Sequence, residues 1–179
     1  MRKIIESTLV SVDGVIGSPH IWADKYFDDA AATLALDQLA VSDAMLMGRR
    51  TYEIFSRAWP DASSAYADRM NNIRKYVFSS TLKQADWRNS VIINGDVATE
   101  VRKLKEEDGQ DLVMYGHGPL GQTLMEHHLL DELNFWIHPL FVGGHTPLFR
   151  QAETTRLDLL GTKTLETGVV ILSYRLADA

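Results

Sequence analysis

The sequence predicts an α/β fold with a mostly parallel central sheet, helices on both faces and a C-terminal antiparallel hairpin. Short apolar, β-branched segments alternate with segments of helical periodicity through the middle of the chain, which is typical of a parallel sheet covered on both sides. Two of these segments pass through glycine directly into a helix pattern. The last two apolar segments flank Glu166-Thr167-Gly168, which predicts the turn of a hairpin.

The first half of the chain is predicted to contain three strands and three helices. A strand begins at Ile4 and is interrupted by Ser11-Val12-Asp13-Gly14, a strand end with a turn, before residue 16. Residues 18–20 are expected to form a loop. The elements predicted after this loop are a helix over about 24–41, a buried strand over 43–47, a helix over 50–57 that stops near Pro60, a looser helix over 62–72 and a strand over 75–79.

The second half continues the alternation and then changes to strands alone. The predicted elements are a strand over 91–93, an amphipathic helix over 97–107, a strand over 112–115, a helix over 120–127, a strand over 132–138 and the two hairpin strands over about 157–164 and 169–176. The sequence contains no internal repeat, low-complexity segment or linker pattern, so we expect one domain over residues 1–179.

Composition and charge exclude several classes of protein. The chain has 179 residues, 45% of them hydrophobic and 23% charged, which is ordinary for a globular domain. Without cysteine it can form no disulfide, iron–sulfur cluster or thiolate zinc site. A net charge of −6 argues against nonspecific nucleic-acid binding. Because the sequence shows neither a signal-peptide core nor a membrane-length apolar run, a cytoplasmic location is expected.

The two strand–glycine–helix junctions predict phosphate binding. They lie in residues 44–53, around Gly48, and in residues 111–121, around Gly116 and Gly118. A helix that begins directly after a strand points free backbone N–H groups and a partial positive charge outward, and glycine allows a ligand to approach the backbone. Parallel strands bring both junctions to one edge of the sheet, where ligands of such folds bind. Two such corners favour a dinucleotide.

Five segments resemble one family of reductases. The segments are Leu46-Met47-Gly48-Arg49-Arg50-Thr51-Tyr52-Glu53, Lys75-Tyr76-Val77-Phe78-Ser79-Ser80-Thr81-Leu82, Tyr115-Gly116-His117-Gly118-Pro119-Leu120, Ser11-Val12-Asp13-Gly14-Val15-Ile16 and Pro139-Leu140-Phe141-Val142-Gly143-Gly144-His145-Thr146-Pro147-Leu148-Phe149. The first three resemble the cofactor-binding segments of dihydrofolate reductases. The last two are similar to the reductase domain of riboflavin biosynthesis. The whole chain resembles a bacterial dihydrofolate reductase-like protein with a fold like the C-terminal domain of that reductase.

The resemblance implies an NADPH-dependent reductase that forms a homodimer. An arginine at the first corner, Arg49 or Arg50, would pair with the adenosine 2′-phosphate, which favours NADPH over NADH. His117, between the glycines of the second corner, is expected to be exposed rather than catalytic. The residues predicted to bind the cofactor are Val10, Gly14, Ile16, Gly48, Arg49, Arg50, Thr51, Ser79, Ser80, Thr81, Tyr115, Gly116, His117, Gly118, Pro119 and Leu120.

The substrate side departs from the family pattern. Trp22 is present, but residues 23–29 lack the proline that follows this tryptophan in dihydrofolate reductases, so the role of the pterin-anchoring acidic residue would fall to Asp28 or Asp29, neither of which aligns with it. The aspartate and proline pair of the riboflavin enzyme is replaced by Tyr52-Glu53-Ile54-Phe55. The predicted substrate contacts are Asp13, Trp22, Phe27 and Trp59. The predicted proton donor is Asp28, with Asp29 or water as alternatives.

Three functions remain open at this stage. The first is hydride transfer to a planar heterocycle, either pterin- or dihydrofolate-like or 5-amino-6-(5-phosphoribosylamino)uracil-like. The second is a non-catalytic NADP(H)-binding sensor, and the third a dimeric scaffold of the same fold. Residues 22–28 could equally form an aromatic cluster that packs the first helix. His127-His128 is interpreted as a solvated helix end and not as a metal site, and the closing hairpin with Leu129-Leu130 as material for a dimer interface.

Overall fold

The structure is a computed structural model that describes residues 1–144, 147–148 and 154–177. Its strands are β1 (Ile4–Ser11), β2 (Ser42–Gly48), β3 (Arg74–Phe78), β4 (Ser90–Ile93), β5 (Asp111–Tyr115), β6 (Glu132–His138), β7 (Leu157–Thr164) and β8 (Val170–Leu176). Its helices are α1 (Pro19–Trp22), α2 (Asp29–Ala40), α3 (Arg49–Ala58), α4 (Ala65–Asn72), α5 (Val97–Glu106) and α6 (Pro119–Glu126), with a 3₁₀ turn at Asp24–Tyr26. The prediction of one domain over 1–179 extends beyond the described residues.

The eight strands form one sheet in the order β4-β3-β2-β5-β1-β6-β8-β7. In this order, the six strands from β4 to β6 pair with their neighbours in parallel, and β8 pairs antiparallel with both β6 and β7. The predicted fold class is therefore confirmed, including the C-terminal hairpin. Parallel pairing places the carboxyl ends of β1 to β6 at one edge of the sheet, and both glycine corners lie there.

Each face of the sheet is covered by its own helices. On one face, α5 and α6 bury Val101 and Leu124 against strand residues such as Leu46 and Leu112. On the other face, α2, α3 and α4 cover the opposite side of the same strands, where Met45 is fully buried. Successive strand residues point to opposite faces, so these apolar strands are buried on both sides.

The predicted helix over 24–41 is wrong as a single element. Residues 19–22 form α1, although residues 18–20 were expected to form a loop, and the 3₁₀ turn follows before α2 begins at Asp29. Asp28 ends the irregular segment because its side chain accepts a hydrogen bond from the Ala31 N–H and caps α2. Similarly, α4 begins at Ala65, three residues later than predicted, because Ser64 caps it.

Of the two segments predicted to form a dimer interface, Leu129-Leu130 is wrong. Leu129 and Leu130 are buried in the core against α6 and the sheet, so they present no surface to a partner. Leu159 and Leu160 of β7, in contrast, are 55% and 49% exposed on the terminal strand of the sheet. Among the described residues, no group of histidines and carboxylates could hold a metal ion, and no helix is long and apolar enough to cross a membrane.

Candidate functional site

The first corner joins β2 to α3 at the carboxyl edge of the sheet. Gly48 is the N-cap of α3, so the first N–H groups of this helix open toward that edge. The Arg49 guanidinium donates to Glu53 through Nε and to the Thr81 hydroxyl through Nη1, both at 2.8 Å. Arg49, Arg50 and Thr81 are exposed and Thr51 is partly buried. The structure thus brings the predicted arginine corner next to the end of β3.

A cavity of about 410 Å³ lies beside this corner. The residues that line it are Arg49, Phe78, Ser79, Ser80, Thr81, Ile93, Asn94, Gly95 and Val97. The Ser79 hydroxyl accepts hydrogen bonds from the N–H groups of Thr81 (3.2 Å) and Leu82 (2.9 Å), which fixes the turn after β3. Sequence reasoning grouped Arg49 with Ser79, Ser80 and Thr81, and the structure places these four residues on one cavity.

The cavity also contains residues that sequence reasoning missed. Asn94 and Gly95 follow β4 and precede α5, whose N-cap is Asp96. This is a third strand–glycine–helix junction, shorter and more polar than the two that were recognised. Because β4 pairs parallel with β3, its carboxyl end had to lie beside Ser79, and that topology was the signal available in the sequence.

The second corner joins β5 to α6. Gly116 has φ +77°, a conformation that favours glycine, and a Cβ added to Gly116 or Gly118 would meet nothing within 4 Å. The Gly116 N–H donates to the Ser7 carbonyl at 2.9 Å, so it is already used within the sheet. Pro119 begins α6 and Leu120 is buried beneath it. The open space at both glycines leaves room for a ligand.

His117 is buried, and the expectation that it would be exposed is wrong. It is only 5% exposed, and its Nδ1 lies 3.0 Å from both carboxylate oxygens of Glu6. Glu6 lies in the middle of β1 and is fully buried, with the Thr8 hydroxyl donating to it at 3.0 Å. A carboxylate in the core needs such partners, so the imidazole turns inward beneath the corner. The role of Glu6 was missed, because one carboxylate in an apolar strand is easily assigned to the surface.

Asp13 connects the loops that follow β1 and β6. Its carboxylate accepts hydrogen bonds from the Ser11 hydroxyl (2.6 Å) and from the N–H groups of Val142 (3.1 Å) and Gly143 (2.7 Å). These donors, led by Ser11, lower the pKa of Asp13 to about 2. Gly14, with φ +80°, accepts from the Leu148 N–H at 2.8 Å. Asp13 therefore holds the loop after β1 against the loop after β6.

Residues near this end of β1 have two kinds of environment. Val10 is buried in the core, and Ile16 packs partly against the same cluster. Of the motif that follows β6, His145, Thr146 and Phe149 lie outside the described residues.

Trp22 lies in a separate group near the end of β6. Its indole N–H donates to the Gly17 carbonyl at 2.8 Å, and its ring contacts the His138 ring edge-on at 5.3 Å. Burial lowers the pKa of His138, whose Nδ1 lies 2.8 Å from the Trp136 carbonyl. A second cavity, of about 550 Å³, is lined by Ile21, Trp22, Asp24, Lys25 and Leu140.

Phe27 and Trp59 belong to an aromatic cluster on the face covered by α2, α3 and α4. We call the five residues Phe27, Phe55, Trp59, Tyr66 and Tyr115 the aromatic cluster. Tyr66 joins the two predicted residues, with ring centroids 6.1 Å from Phe27 and 5.2 Å from Trp59. Phe55 lies 6.1 Å from both Trp59 and Tyr115. The structure brings Phe27 and Trp59 together and places Trp22 and Asp13 in other contacts.

Sequence reasoning missed Tyr66 and Phe55 as members of this cluster. Both lie on helices that were predicted, but the sequence did not show that α3 and α4 place these side chains near the end of β5. Asp28 is half-buried beside Phe27, and its Oδ1 lies 2.9 Å from the Ala31 nitrogen. Its role as proton donor remains a prediction.

Comparisons with known proteins agree with this architecture. The model of the RibD C-terminal domain family matches residues 2–171. The uncharacterized protein YyaP of Bacillus subtilis (strain 168) is 30% identical over 181 residues, covering 97% of this chain and 94% of the relative.

Solved structures show the same fold at lower identity. A putative riboflavin biosynthesis protein from Shewanella sp. PV-4 superposes with a TM-score of 0.78 at 17% identity, covering 98% of this chain and 99% of its own. Dihydrofolate reductase from Enterococcus faecalis, complexed with NADP(H), superposes with a TM-score of 0.65 at 14% identity, covering 98% and 97%. Together with the arrangement of strands and corners, these matches show that the chain belongs to the RibD C-terminal domain family.

Proposed function

We propose that this protein is an NADPH-dependent reductase that transfers hydride to a planar heterocycle. The observation that carries the proposal is the cavity beside Arg49, whose walls combine one cation with the polar ends of β3 and β4. The substrate would be pterin- or dihydrofolate-like or 5-amino-6-(5-phosphoribosylamino)uracil-like. The E. faecalis neighbour of the same fold is a complex with NADP(H), which supports the choice of cofactor.

The residues at the carboxyl edge suit a nucleotide that carries both a 2′-phosphate and a pyrophosphate. Arg49, with Ser80 and Thr81, would hold the adenosine 2′-phosphate, and Arg50 would add positive charge. The α3 and α6 N-termini, at Thr51 and at Gly118 to Leu120, would hold the pyrophosphate through backbone N–H groups. When bound, NADPH supplies the hydride, and the protein supplies orientation and electrostatics.

A titration with NADPH and NADH tests the cofactor site. A charge-assisted bond between arginine and phosphate contributes about 1.5–3 kcal/mol, so Arg49→Ala is expected to weaken NADPH binding by about tenfold or more. NADH binding should change little, because NADH lacks the 2′-phosphate. Arg57→Ala, an exposed arginine in the last turn of α3, is the matched control.

The outcomes separate the proposal from its rivals. Selective loss of NADPH affinity in Arg49→Ala, with Arg57→Ala unchanged, supports the cofactor site. Absence of binding for both nucleotides up to millimolar concentration would refute the proposed reductase activity. Turnover is then measured as NADPH oxidation with dihydrofolate, pterins and ribosylated aminouracils as substrates.

A non-catalytic NADP(H)-binding sensor is the second candidate. It is favoured by Asp28, because the carboxylate predicted to deliver the proton is used as the N-cap of α2. A sensor would bind NADPH with the same arginine dependence but would oxidise none of it in a single-turnover assay with any planar heterocycle. Substrate-dependent oxidation that falls in Asp28→Asn would favour the enzyme.

We further propose a cytoplasmic homodimer that associates through the hairpin strand β7. Leu159 and Leu160 form an exposed apolar pair there, on a terminal strand whose outer backbone groups are open to pairing. Sedimentation of the wild-type protein is expected to show a dimer, and Leu160→Glu is expected to shift it toward monomer. A wild-type monomer at high micromolar concentration would contradict the proposal.

A further inference from the structure

The second corner lies over a buried hydrogen-bonded pair, Glu6 and His117. Glu6 is fully buried and His117 is 5% exposed, and the imidazole Nδ1 lies 3.0 Å from each carboxylate oxygen. The Thr8 hydroxyl donates to the same carboxylate at 3.0 Å. A buried pair of this kind generally stabilises a fold no more than well-packed apolar side chains of similar size, so its presence points to a role other than stability.

Helix α6 carries a glycine where it passes over this pair. A Cβ added to Gly121 would meet Glu6 Oε2 at 2.7 Å and His117 Nδ1 at 2.8 Å, which is closer than van der Waals contact allows. Glycine inside a helix is less favourable than alanine. Two unfavourable features therefore coincide at one point, a carboxylate in the core and a glycine in a helix, and together they make room for the imidazole to reach Glu6.

His117 is the one residue of the corner whose side chain can hold the backbone in place. It stands between Gly116 and Gly118, and glycine has the least restricted backbone of any residue. The Gly116 N–H donates to the Ser7 carbonyl, which fixes only the start of the turn. Gly118 is the N-cap of α6 but has no side chain that could cap the helix. The contact between His117 and Glu6 therefore ties the rest of the turn to the middle of β1.

We propose that Glu6 and His117 are positioning residues that hold the second corner in the conformation that binds the pyrophosphate of the nucleotide. The inference rests on the proposed function for the identity of this ligand. A free turn with two glycines would have to be ordered during binding, which lowers affinity, whereas a turn tied to β1 presents the N–H groups of α6 already aligned. Neither side chain touches the ligand in this role, because both are buried beneath the turn.

Two nucleotides separate the two corners of the cofactor site. 2′-AMP carries only the phosphate assigned to Arg49, whereas NADP⁺ also carries the pyrophosphate assigned to the second corner. In calorimetric titrations of the whole protein, His117→Ala is expected to weaken NADP⁺ binding about tenfold and to leave 2′-AMP binding unchanged. In His117→Asn the side-chain amide donates to Glu6 from about the position of Nδ1, so NADP⁺ affinity should stay within about threefold of wild type.

A double variant separates positioning from stability. His117→Ala alone leaves the Glu6 carboxylate buried without its imidazole and is expected to be destabilised. Glu6→Met combined with His117→Ala removes the carboxylate together with its partner, so most of the stability should return. NADP⁺ affinity should still be about tenfold below wild type, because the turn remains untied. Leu39→Ala, which removes a fully buried side chain on the other face of the sheet, is the control that loses stability and keeps NADP⁺ affinity.

Hydrogen exchange of the nucleotide-free protein measures the anchoring itself. The Gly116 and Gln122 amides donate to the Ser7 and Gly118 carbonyls, so their exchange reports how often the corner opens. Both amides should exchange faster in the double variant than in wild type.

Three results would overturn the positioning role and leave the proposed reductase standing. They are wild-type NADP⁺ affinity in the double variant, an equal loss of 2′-AMP and NADP⁺ affinity in that variant, and wild-type exchange at Gly116 and Gln122. Failure of the wild-type protein to bind either nucleotide would overturn both proposals. Selective loss of NADP⁺ affinity in the stable double variant, with rescue in His117→Asn, supports the positioning role.

Discussion

The titration of the buried Lys75 should make the free energy of unfolding rise with pH. This side chain is fully buried on β3, and its ammonium donates to the carbonyls of Asn71 (3.0 Å), Ile73 (2.8 Å) and Arg88 (3.0 Å). It also lies 4.1 Å above the centre of the Trp87 ring. Despite these contacts, burial, with a smaller contribution from the Arg88 charge, lowers the pKa of Lys75 from 10.5 to about 8.

The sign of the effect follows from proton counting. Above pH 8 the folded protein releases the Lys75 proton, whereas the unfolded chain keeps it until about pH 10.5, so the unfolded state binds more protons. The free energy of unfolding then increases with pH, by about 2 kcal/mol between pH 8 and pH 10. Above about pH 10.5 the contribution of Lys75 ends, and the trend reverses because Tyr66, with its pKa raised to about 12, keeps a proton that the unfolded chain loses.

Urea unfolding at pH 8, 9 and 10 measures this increase. The Lys75→Met variant has no amine to titrate, so its free energy of unfolding should lack the increase. Lys83→Met, an exposed lysine, should keep it. Equal pH slopes in wild type and Lys75→Met, or a fall in wild-type stability between pH 8 and pH 10, would refute the reasoning.

Three other substitutions probe contacts around the sheet. His117→Ala leaves the buried Glu6 carboxylate without its imidazole and should reduce the free energy of unfolding by about 3 kcal/mol, while a loss below about 1 kcal/mol in urea would contradict the pairing. Asp13→Asn should lower the melting temperature at pH 7. Because the pKa of Asp13 is lowered to about 2, the gap to wild type should close as pH falls from 4 to 2, and a constant gap would argue against the three hydrogen bonds. Leu124→Ala removes a fully buried side chain between α6 and the sheet and should cost about 3 kcal/mol by the same urea assay, with a near-neutral result excluding tight packing there.

The sheet and the strand–glycine–helix corners could be predicted because their signals are local. Gly48 and Gly116 mark strand-to-helix corners that the chain builds from consecutive residues, and parallel pairing then brings those corners together. The position of Ser79 beside Arg49 follows from the same rule, since β3 pairs with β2 in parallel. Short-range sequence patterns are sufficient to predict which residues meet wherever parallel strand pairing alone decides it.

The parts that were missed depend on contacts between residues distant in sequence. His117 was expected at the surface because its neighbours are glycines, but its burial is decided by Glu6, 111 residues away. The break in the helix pattern before α2 follows from capping by Asp28, which competes with apolar periodicity that continues across it. Leu129 and Leu130 were assigned to an interface because the sequence shows that they are apolar. It does not show whether they pack against the core or against a partner.

The two ends of the proposed site differ in how far they are formed before a ligand binds. At the nucleotide end, Arg49 and Thr81 are already hydrogen-bonded to each other on an open cavity, so binding would require little rearrangement. At the substrate end, the predicted contacts Phe27 and Trp59 pack against the ring of Tyr66. A heterocycle that binds among these rings would have to displace at least one of them, which reduces the net binding free energy. We therefore expect nucleotide binding to require less rearrangement than binding of the second substrate.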